Sequence, residues 1–168
     1  MQIFGIAGWK NSGKTTLVAA LVREFGARGL RVSTIKHAHH AFDLDLPGKD
    51  SFLHREAGAQ EVLISSHGRW ALLHELRGAG EPPLADLLQR MSPVDLVLIE
   101  GFKDAAHPKL EVRRKASAGQ KLTDTDPYIV AIATDGVMAE EGRPVFALDD
   151  VLAIADFIQQ HCGLDSAE

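Results

Sequence analysis

The pattern of apolar and polar positions predicts alternating strands and helices from the start of the chain. Gln2–Gly8 is a short apolar run that leads into a glycine-rich turn, and Arg31–Lys36 is a second run with strand character. Between them, Thr15–Arg28 carries apolar residues at helical spacing and is followed by Gly29, a typical helix terminator. A strand, a helix and a strand in this order predict a βαβ unit with parallel strands.

The alternation continues towards the C-terminus. Val94–Ile99 and Tyr128–Ala133 are apolar throughout, which is typical of strands in a parallel sheet that is covered on both faces. Glu61–Ser65 and Trp70–Leu73 are separated by a short turn and predict a β-hairpin. The fold class is therefore α/β, with a mainly parallel sheet, helices on both of its faces and a β-hairpin extension. The predicted helices are Ser51–Gly58, Leu84–Met91 and Val151–Gln160.

A phosphate-binding motif lies at the first strand-to-helix junction, where Gly8-Trp-Lys-Asn-Ser-Gly-Lys-Thr15 matches G-x-x-x-x-G-K-[ST]. Gly8 and Gly13 would let successive backbone N–H groups point at phosphate oxygens, and the following helix would add its positive N-terminal end. Lys14 is placed to contact the β- and γ-phosphates, and Thr15 to bind Mg²⁺. We therefore expect a single P-loop nucleotide-binding domain of the NTPase type over residues 1–168. Its predicted phosphate contacts are Gly8, Asn11, Ser12, Gly13, Lys14, Thr15 and Thr16.

Composition limits the classes of function that remain. The chain has 168 residues and a net charge of −5, so it is not built to coat nucleic acid. Its single cysteine, Cys162, cannot form an internal disulfide and is compatible with a reducing compartment. The pattern shows neither a signal peptide nor an apolar run of membrane-spanning length. We expect a cytoplasmic protein with no membrane and no nucleic-acid partner.

A second element of the phosphate site is expected at the end of the most apolar strand. Val94–Ile99 is followed by Glu100, whose carboxylate could hold Mg²⁺ through water or orient the attacking group. The next residue, Gly101, would permit a close approach of the backbone to the γ-phosphate. The alternative is that Glu100 is a solvated strand end, but its position after so apolar a strand favours the functional interpretation.

The loop after the second strand is rich in histidine and aspartate. These side chains could bind a transition metal or position a substrate. They could equally form a polar switch loop whose carboxylate reaches the Mg²⁺ of the phosphate loop. The spacing typical of a structural zinc site is absent, so the switch-loop interpretation is favoured, and the role of the histidines stays open. The residues concerned are His37, His39, His40, Asp43, Asp45 and Asp50.

Positive charge is concentrated in residues 103–121, which hold six basic and two acidic residues and so carry +4 within a chain of net −5. The segment begins with Lys103. Either it docks an anionic ligand or an acidic partner, or it is a solvated edge hairpin that its charges protect against sheet addition. The sequence leaves both interpretations open.

A strand with two unlike faces is predicted inside this segment. Lys109, Glu111 and Arg113 would lie on its charged face, and Leu110 and Val112 on its apolar face. Because an apolar face on a charged ribbon needs a cover, we expect a second copy of the chain to supply one by two-fold pairing. The charged face would then present Lys109 and Arg113, near Lys103, to an anionic substrate or an acidic partner.

Recognition of the base is expected from the loop after Tyr128–Ala133, where Asp135 is followed by Gly136. An aspartate there can accept hydrogen bonds from N1 and N2 of guanine, which adenine cannot supply. The chain lacks the full N-K-x-D motif of many GTPases, and a simple turn at Asp135 is the alternative. The residues by themselves leave GTP and ATP open.

Several motifs together resemble the MobB family, the molybdopterin-guanine dinucleotide biosynthesis proteins B, from the N-terminus to about Asp135. One departure is Ala41, where the family pattern has an acidic residue after the paired histidines. The combination is far more specific than the phosphate motif alone. The motifs that carry the resemblance are Gly8–Thr16, Thr34–His37, Pro47–Ser51, His54–Gly58, Leu98–Lys103 and Pro108–Lys109.

The resemblance implies a GTP-binding protein with weak GTPase activity that assists the attachment of GMP to molybdopterin. It implies GTP and Mg²⁺ as cofactors, a homodimer, and the guanylyltransferase MobA as partner, with molybdopterin as a further ligand for the basic segment. The chain is also similar to the broader P-loop group that includes dethiobiotin synthetase, in which a post-strand lysine, a switch aspartate and a strand-end glutamate surround the phosphates. Lys36, Asp50 and Glu100 match those places. The similarity therefore implies catalytic roles for Lys14, Asp50 and Glu100, and metal contacts from Thr15, Asp50 and Glu100.

Two functions of different classes remain. The first is the GTP-binding accessory factor, and the second is an ATP-dependent small-molecule kinase or ligase of the same fold. A kinase needs an acceptor pocket with a lid, and although no arginine-rich lid segment is visible, residues 37–50 could serve as one. A measured preference for GTP over ATP would separate the two functions.

Overall fold

The computed structural model describes residues 1–38, 42–115, 121–136 and 142–164, so that His39, His40 and Ala41 lie outside the described residues. The chain forms two compact units, one of residues 1–37 and 91–168 and one of residues 38–90. The first unit contains β1 (Gln2–Ala7), α1 (Lys14–Ala27), β2 (Val32–Lys36), β5 (Leu96–Glu100), β6 (Lys109–Arg113), β7 (Ile129–Thr134), β8 (Val145–Ala147) and α4 (Val151–Cys162). The second contains α2 (Asp50–Glu56), β3 (Glu61–Ser65), β4 (Trp70–His74) and α3 (Leu84–Gln89).

The first unit is built on a six-stranded sheet in the order β2-β5-β1-β6-β7-β8. All five of its strand pairs are parallel, which confirms the mainly parallel α/β sheet. In the register, Glu100 at the end of β5 lies between Ile6 of β1 and Lys36 of β2. The carboxyl ends of these three strands therefore lie side by side, which is where ligands bind in open parallel sheets.

Two long helices pack against one face of this sheet and against each other. Phe4 and Ile6 of β1, Phe25 of α1 and Ile158 of α4 are fully buried in one shared core cluster. Because each such side chain contributes about 1.5–3 kcal/mol on burial, this cluster is the main source of stability of the unit. On the opposite face, Ala7 and Ile129 pack with Leu122 of a short 3₁₀ helix, Leu122–Asp124.

Strand β6 corrects the prediction of an edge ribbon. It lies in the interior of the sheet, between β1 and β7. Leu110 and Val112 are 0% and 1% exposed and belong to the core cluster of α1 and α4. The predicted two-fold pairing through this face is therefore wrong, because the chain's own helices already cover it. An aspartate at Leu110 would disrupt the core and not an interface.

The second unit contains the predicted hairpin. β3 and β4 pair antiparallel, with Glu61 opposite His74 and Ser65 opposite Trp70. Arg55 of α2 ties the unit together, because its guanidinium donates hydrogen bonds of 2.8 Å to both Asp43 and Glu75. These two carboxylates raise the pKa of Arg55.

Candidate functional site

The loop between β1 and α1 has the backbone that its glycines predict. Gly8 has φ +146° and Gly13 φ +101°, and between them Asn11 also has a positive φ of 63°. A Cβ atom on Gly8 would lie 2.5 Å from the carbonyl oxygen of Val112, so no other residue fits at this position. The loop is thus closed against β6, and Ser12 donates its backbone N–H to the carbonyl of Trp9 at 3.2 Å.

The N-terminus of α1 follows this loop directly. Gly13 is its N-cap, no side chain caps it, and its first turn contains no acidic residue. The first backbone N–H groups of a helix have no partner within the helix, so this end carries a partial positive charge. Within the described chain, the buried hydroxyl of Ser12 has no hydrogen-bond partner. Donors without acceptors at the start of a helix are suited to an anion.

Lys14 lies across the loop, where its ammonium donates a 2.8 Å hydrogen bond to the carbonyl of Trp9. Burial lowers the pKa of Lys14, and the charges of Lys103 and Lys36 act in the same direction, whereas Glu100 opposes them. The structure therefore brings together Lys14, Lys36 and Glu100 from the predicted phosphate site, and adds Lys103. A polyanion bound here would relieve the repulsion among the ammonium groups.

A pair of oxygen ligands lies beside this lysine. The Thr15 hydroxyl donates a hydrogen bond of 2.8 Å to a carboxylate oxygen of Glu100. A hydroxyl and a carboxylate are ligands of the kind that Mg²⁺ prefers. Thr16, the next residue of α1, lies at the exposed start of the helix. Asp50 is the first residue of α2 in the second unit, so its participation stays a prediction.

Gly101 has a structural reason to be glycine. Its φ is +99°, and a Cβ atom there would lie 2.7 Å from the Cβ of His37. His37 donates its backbone N–H to the carbonyl of Glu100 at 2.8 Å, and its ring stacks on Phe102 with centroids 4.5 Å apart. The close approach that the structure shows is thus between Gly101 and His37. The approach to a γ-phosphate stays a prediction.

A cavity of about 720 Å³ opens on the other side of the phosphate loop. Its lining includes Gly13 and Thr16 from α1, Arg114 after β6, and Asp135 after β7. Arg114 donates a 3.2 Å hydrogen bond to the carbonyl of Ser12, so it is held against the loop. Sequence reasoning counted Arg114 among the basic residues of 103–121 but did not single it out, although its position directly after a strand was the available signal.

Asp135 lies in this cavity at the end of β7, and it accepts a 2.7 Å hydrogen bond from the backbone N–H of Lys115. This bond holds the carboxylate in place. The second carboxylate oxygen and the remaining lone pair of the first can accept further hydrogen bonds. A nucleobase in the cavity could therefore donate hydrogen bonds to the Asp135 carboxylate, which is already held in place.

Lys109 and Arg113 do not form a docking face, which corrects their predicted role. Lys109 is 0% exposed, and its ammonium donates to Asp126 at 2.9 Å and to the carbonyl of Ala105 at 2.6 Å. The Arg113 guanidinium donates to Glu111 at 2.7 Å. The reason is that each cation is already paired within the chain, Lys109 with the partly buried Asp126 and Arg113 with the buried Glu111.

Three further observations concern other kinds of site: a metal cluster, a membrane-spanning helix and a reactive thiol. Across residues 1–38, 42–115, 121–136 and 142–164 there is no cluster of three or more histidine, cysteine, aspartate or glutamate side chains that could hold a metal ion. None of the helices in those ranges has the length and apolarity needed to cross a membrane. Burial raises the pKa of the Cys162 thiol to about 11, so this group is protonated and unreactive at neutral pH.

Comparisons with known proteins agree with one another. Two relatives named molybdopterin-guanine dinucleotide biosynthesis adapter protein are each 38% identical to this chain over 162 residues. The one from Haemophilus influenzae covers 95% of this chain and 88% of its own, and the one from Escherichia coli covers 94% and 91%. A crystal structure of molybdopterin-guanine biosynthesis protein B superimposes with a TM-score of 0.75 at 28% identity, covering 95% of this chain and 99% of the other.

The family assignment rests on most of the chain. The family described as MobB, molybdopterin guanine dinucleotide synthesis protein B, matches residues 3–135. This span includes the phosphate loop, Glu100, the buried ion pairs of β6 and Asp135. The chain therefore belongs to the MobB family.

Proposed function

We propose that this protein binds GTP with Mg²⁺ at the carboxyl ends of β1 and β5 and acts as an accessory protein in molybdopterin guanine dinucleotide biosynthesis. One observation carries the proposal: an uncapped helix N-terminus lies behind a glycine-bounded loop, and Lys14, Thr15 and Glu100 gather beside it. Backbone N–H groups and an ammonium group together attract a polyphosphate. The names of the relatives support the pathway.

The residues at this edge suit Mg²⁺ bound to the phosphates of the nucleotide. Thr15 and Glu100 are the residues that would hold the ion. When bound, Mg²⁺ neutralises charge on the β- and γ-phosphates. Glu100 would also orient water towards the γ-phosphate, which supports a weak GTPase activity. Lys36, aligned with Glu100 in the sheet, would add a cation to the same edge.

Selection of guanine is proposed for Asp135. The guanine edge offers N–H donors at N1 and N2, and a carboxylate that is already held by Lys115 can accept them. The cavity that Asp135 shares with Gly13 and Thr16 places this carboxylate beside the start of α1. Arg114, held against the loop, would pack beside the nucleoside.

Titration of the nucleotides tests this proposal. With Mg²⁺ present, we expect GTP to bind at least tenfold more tightly than ATP in isothermal titration calorimetry. Asp135→Asn should reverse the preference from guanine to xanthine, because xanthine has an acceptor in place of the N2 donor. Asp149→Asn is the matched control, since Asp149 lines the same cavity. Equal affinity of the wild type for ATP and GTP would instead support the ATP-dependent kinase or ligase.

The proposed partner is the guanylyltransferase MobA. We expect the protein to raise the yield of molybdopterin guanine dinucleotide when it is added to purified transferase with molybdopterin and GTP. Lys14→Ala should remove this effect if nucleotide binding is what the accessory protein contributes. An equal yield with and without the wild-type protein would contradict the accessory role.

A homodimer is proposed on different grounds from those first expected. The hairpin of the second unit carries large apolar side chains that are exposed in the part of the chain that the structure describes, and Leu63 and Trp70 are 62% and 65% exposed. A second copy would cover such a surface. Light scattering with size-exclusion chromatography should report a dimer at micromolar concentration, and Trp70→Ser should shift it towards monomer. The control is Leu152→Ser, since Leu152 is 60% exposed on α4.

A further inference from the structure

Three lysines and one glutamate meet at the edge of the sheet that carries the phosphate loop. Lys14 starts α1, Lys36 ends β2, and Lys103 follows β5, three residues after Glu100. The charges of both Lys36 and Lys103 act on the Lys14 ammonium, opposed by that of Glu100. The cluster has a net charge of about +2 with all four groups ionised. An excess of cations at a ligand edge favours a highly charged anion.

Trp9 holds two of these lysines in different ways. Its backbone carbonyl accepts the hydrogen bond of the Lys14 ammonium at 2.8 Å. Its ring lies under the Lys103 ammonium, which is 4.0 Å from the ring centroid. Trp9 is the second residue of the phosphate motif, so Lys103 is held directly over the phosphate loop. A cation–π contact at an exposed ring is weak, which allows the ammonium to leave it for an anion.

The backbone before Lys103 has an unusual conformation that directs it to this place. Gly101 and Phe102 both have positive φ, +99° and +47°. For Phe102 such a φ is strained, and the stacking of its ring on His37 holds it there. The chain therefore turns sharply after Glu100 and returns Lys103 towards Trp9. Strain of this kind is typical of functional sites, where the surrounding contacts maintain it.

We propose that Lys103, held in reserve on the ring of Trp9, contacts the terminal phosphate of the nucleotide and makes the site selective for a triphosphate over a diphosphate. This inference rests on the proposed function and adds a specificity-determining residue to it. It also assigns Lys103 to the nucleotide and not to an acidic protein partner. Lys14 and the helix N-terminus would contact phosphates that GTP and GDP share, whereas the Lys103 ammonium would contact the γ-phosphate, which only GTP has.

The affinities for GTP and GDP with Mg²⁺ test this inference by isothermal titration calorimetry. Lys103→Ala should weaken GTP binding about tenfold and change GDP binding less than about twofold. Lys103→Arg, which keeps the positive charge, should retain most of the preference for GTP over GDP. Trp9→Leu should retain the preference for GTP over GDP or widen it slightly, because the Lys103 ammonium then breaks no cation–π contact when it reaches the terminal phosphate. Arg23→Ala is the matched control, since it removes one exposed charge from α1 and should leave both affinities unchanged.

The outcomes separate this inference from the proposed function. If the wild type binds neither GTP nor GDP, both are overturned. If the wild type binds GTP but Lys103→Ala weakens GTP and GDP equally, or neither, only the role of Lys103 is overturned. Loss of MobA binding in Lys103→Ala with an unchanged ratio of GTP to GDP affinity would likewise overturn it, in favour of the docking role. The far-UV circular dichroism of each variant verifies that the fold is intact.

Discussion

Two groups of cations in this molecule look alike in the sequence and differ in the structure. Lys14, Lys36 and Lys103 gather at the carboxyl edge of the sheet around a single glutamate. Lys109 and Arg113 are the first and last residues of β6, and each is paired with a carboxylate of the same chain. The first group is left with an excess of positive charge, whereas the second is compensated inside the protein.

The difference shows how to separate binding cations from structural ones. A buried cation needs a partner at hydrogen-bond distance, and Lys109 has Asp126 at 2.9 Å. Glu111 is similarly satisfied by the backbone N–H groups of Leu122 and Thr123 in addition to Arg113. Pairs of this kind offer no charge to an incoming ligand. The edge cluster does, so of these two groups of cations it is the one for which we propose contacts with a ligand.

The largest expected effect concerns the ion pair between Lys109 of β6 and Asp126. Asp126→Ala would leave the buried Lys109 ammonium without its counter-charge, so the free energy of unfolding should fall by about 3–5 kcal/mol. Denaturation in urea measures this change. Asp124→Ala is the matched control, since Asp124 is an exposed aspartate two residues before Asp126, and it should cost less than about 1 kcal/mol. A small effect of Asp126→Ala would show that Lys109 finds another partner and that the comparison fails.

The next effect is expected at the edge cluster. There the affinity for GTP should change, and the free energy of unfolding should not. Lys14→Ala should weaken GTP binding by about 100-fold or more, because it removes charge-assisted contacts of about 1.5–3 kcal/mol each. The free energy of unfolding should stay within about 0.5 kcal/mol of the wild type, since Lys14 has no core role. Lys10→Ala, in the same loop, controls for the loss of charge. An unchanged affinity of Lys14→Ala in the titration would refute nucleotide binding at this loop.

The phosphate loop was predictable because its geometry depends on local residues. Gly8, Gly13, Lys14 and Thr15 act through the backbone and the helix that they themselves begin. The position of Glu100 at the end of β5 was predictable from the apolar run before it, whereas its role towards a phosphate stays a prediction. Within the phosphate loop, residues that are neighbours in the sequence are also neighbours in space, whereas the contact of Thr15 with Glu100 joins residues 85 positions apart.

Strand β6 was not predictable from its own residues. Its alternation of charged and apolar side chains is typical of a half-exposed strand, yet the strand lies inside the sheet. The charges are satisfied by Asp126 and by the backbone of Leu122 and Thr123, which come more than ten residues later. A pattern that reports hydrophobicity cannot distinguish water from a buried counter-ion. β8 was missed for a simpler reason, because Val145–Ala147 is too short for periodicity.

The buried side chain of His107 should also make the free energy of unfolding depend on pH. This ring is 2% exposed, and burial together with the charge of Lys109 lowers its pKa to about 4, although Asp126 opposes the shift. The unfolded chain, with a histidine pKa near 6.5, therefore binds more protons between pH 4 and 6.5. The free energy of unfolding should fall by about 1–3 kcal/mol as the pH drops through this range.

A pair of variants isolates this contribution. His107→Gln should remove most of the slope between pH 6.5 and 4, whereas His67→Gln, in the exposed turn of the hairpin, should leave it intact. Urea denaturation at a series of pH values gives both slopes. If the wild type and His107→Gln show the same slope, other groups carry the dependence and the His107 ring is not held in its neutral form.

The smallest expected effect tests whether the two groups of cations are as distinct as the structure indicates. Arg113→Met keeps much of the length of the side chain but removes its hydrogen bonds to Glu111 at 2.7 Å and Thr123 at 2.6 Å. Glu111 keeps the two backbone N–H groups that bind it, so we expect a loss of only about 1–2 kcal/mol in the free energy of unfolding. The affinity for GTP and the stimulation of the transferase should both stay at the wild-type level. If the stimulation fell while stability was retained, Arg113 would be contributing to partner binding after all, and internal compensation would no longer separate structural cations from functional ones.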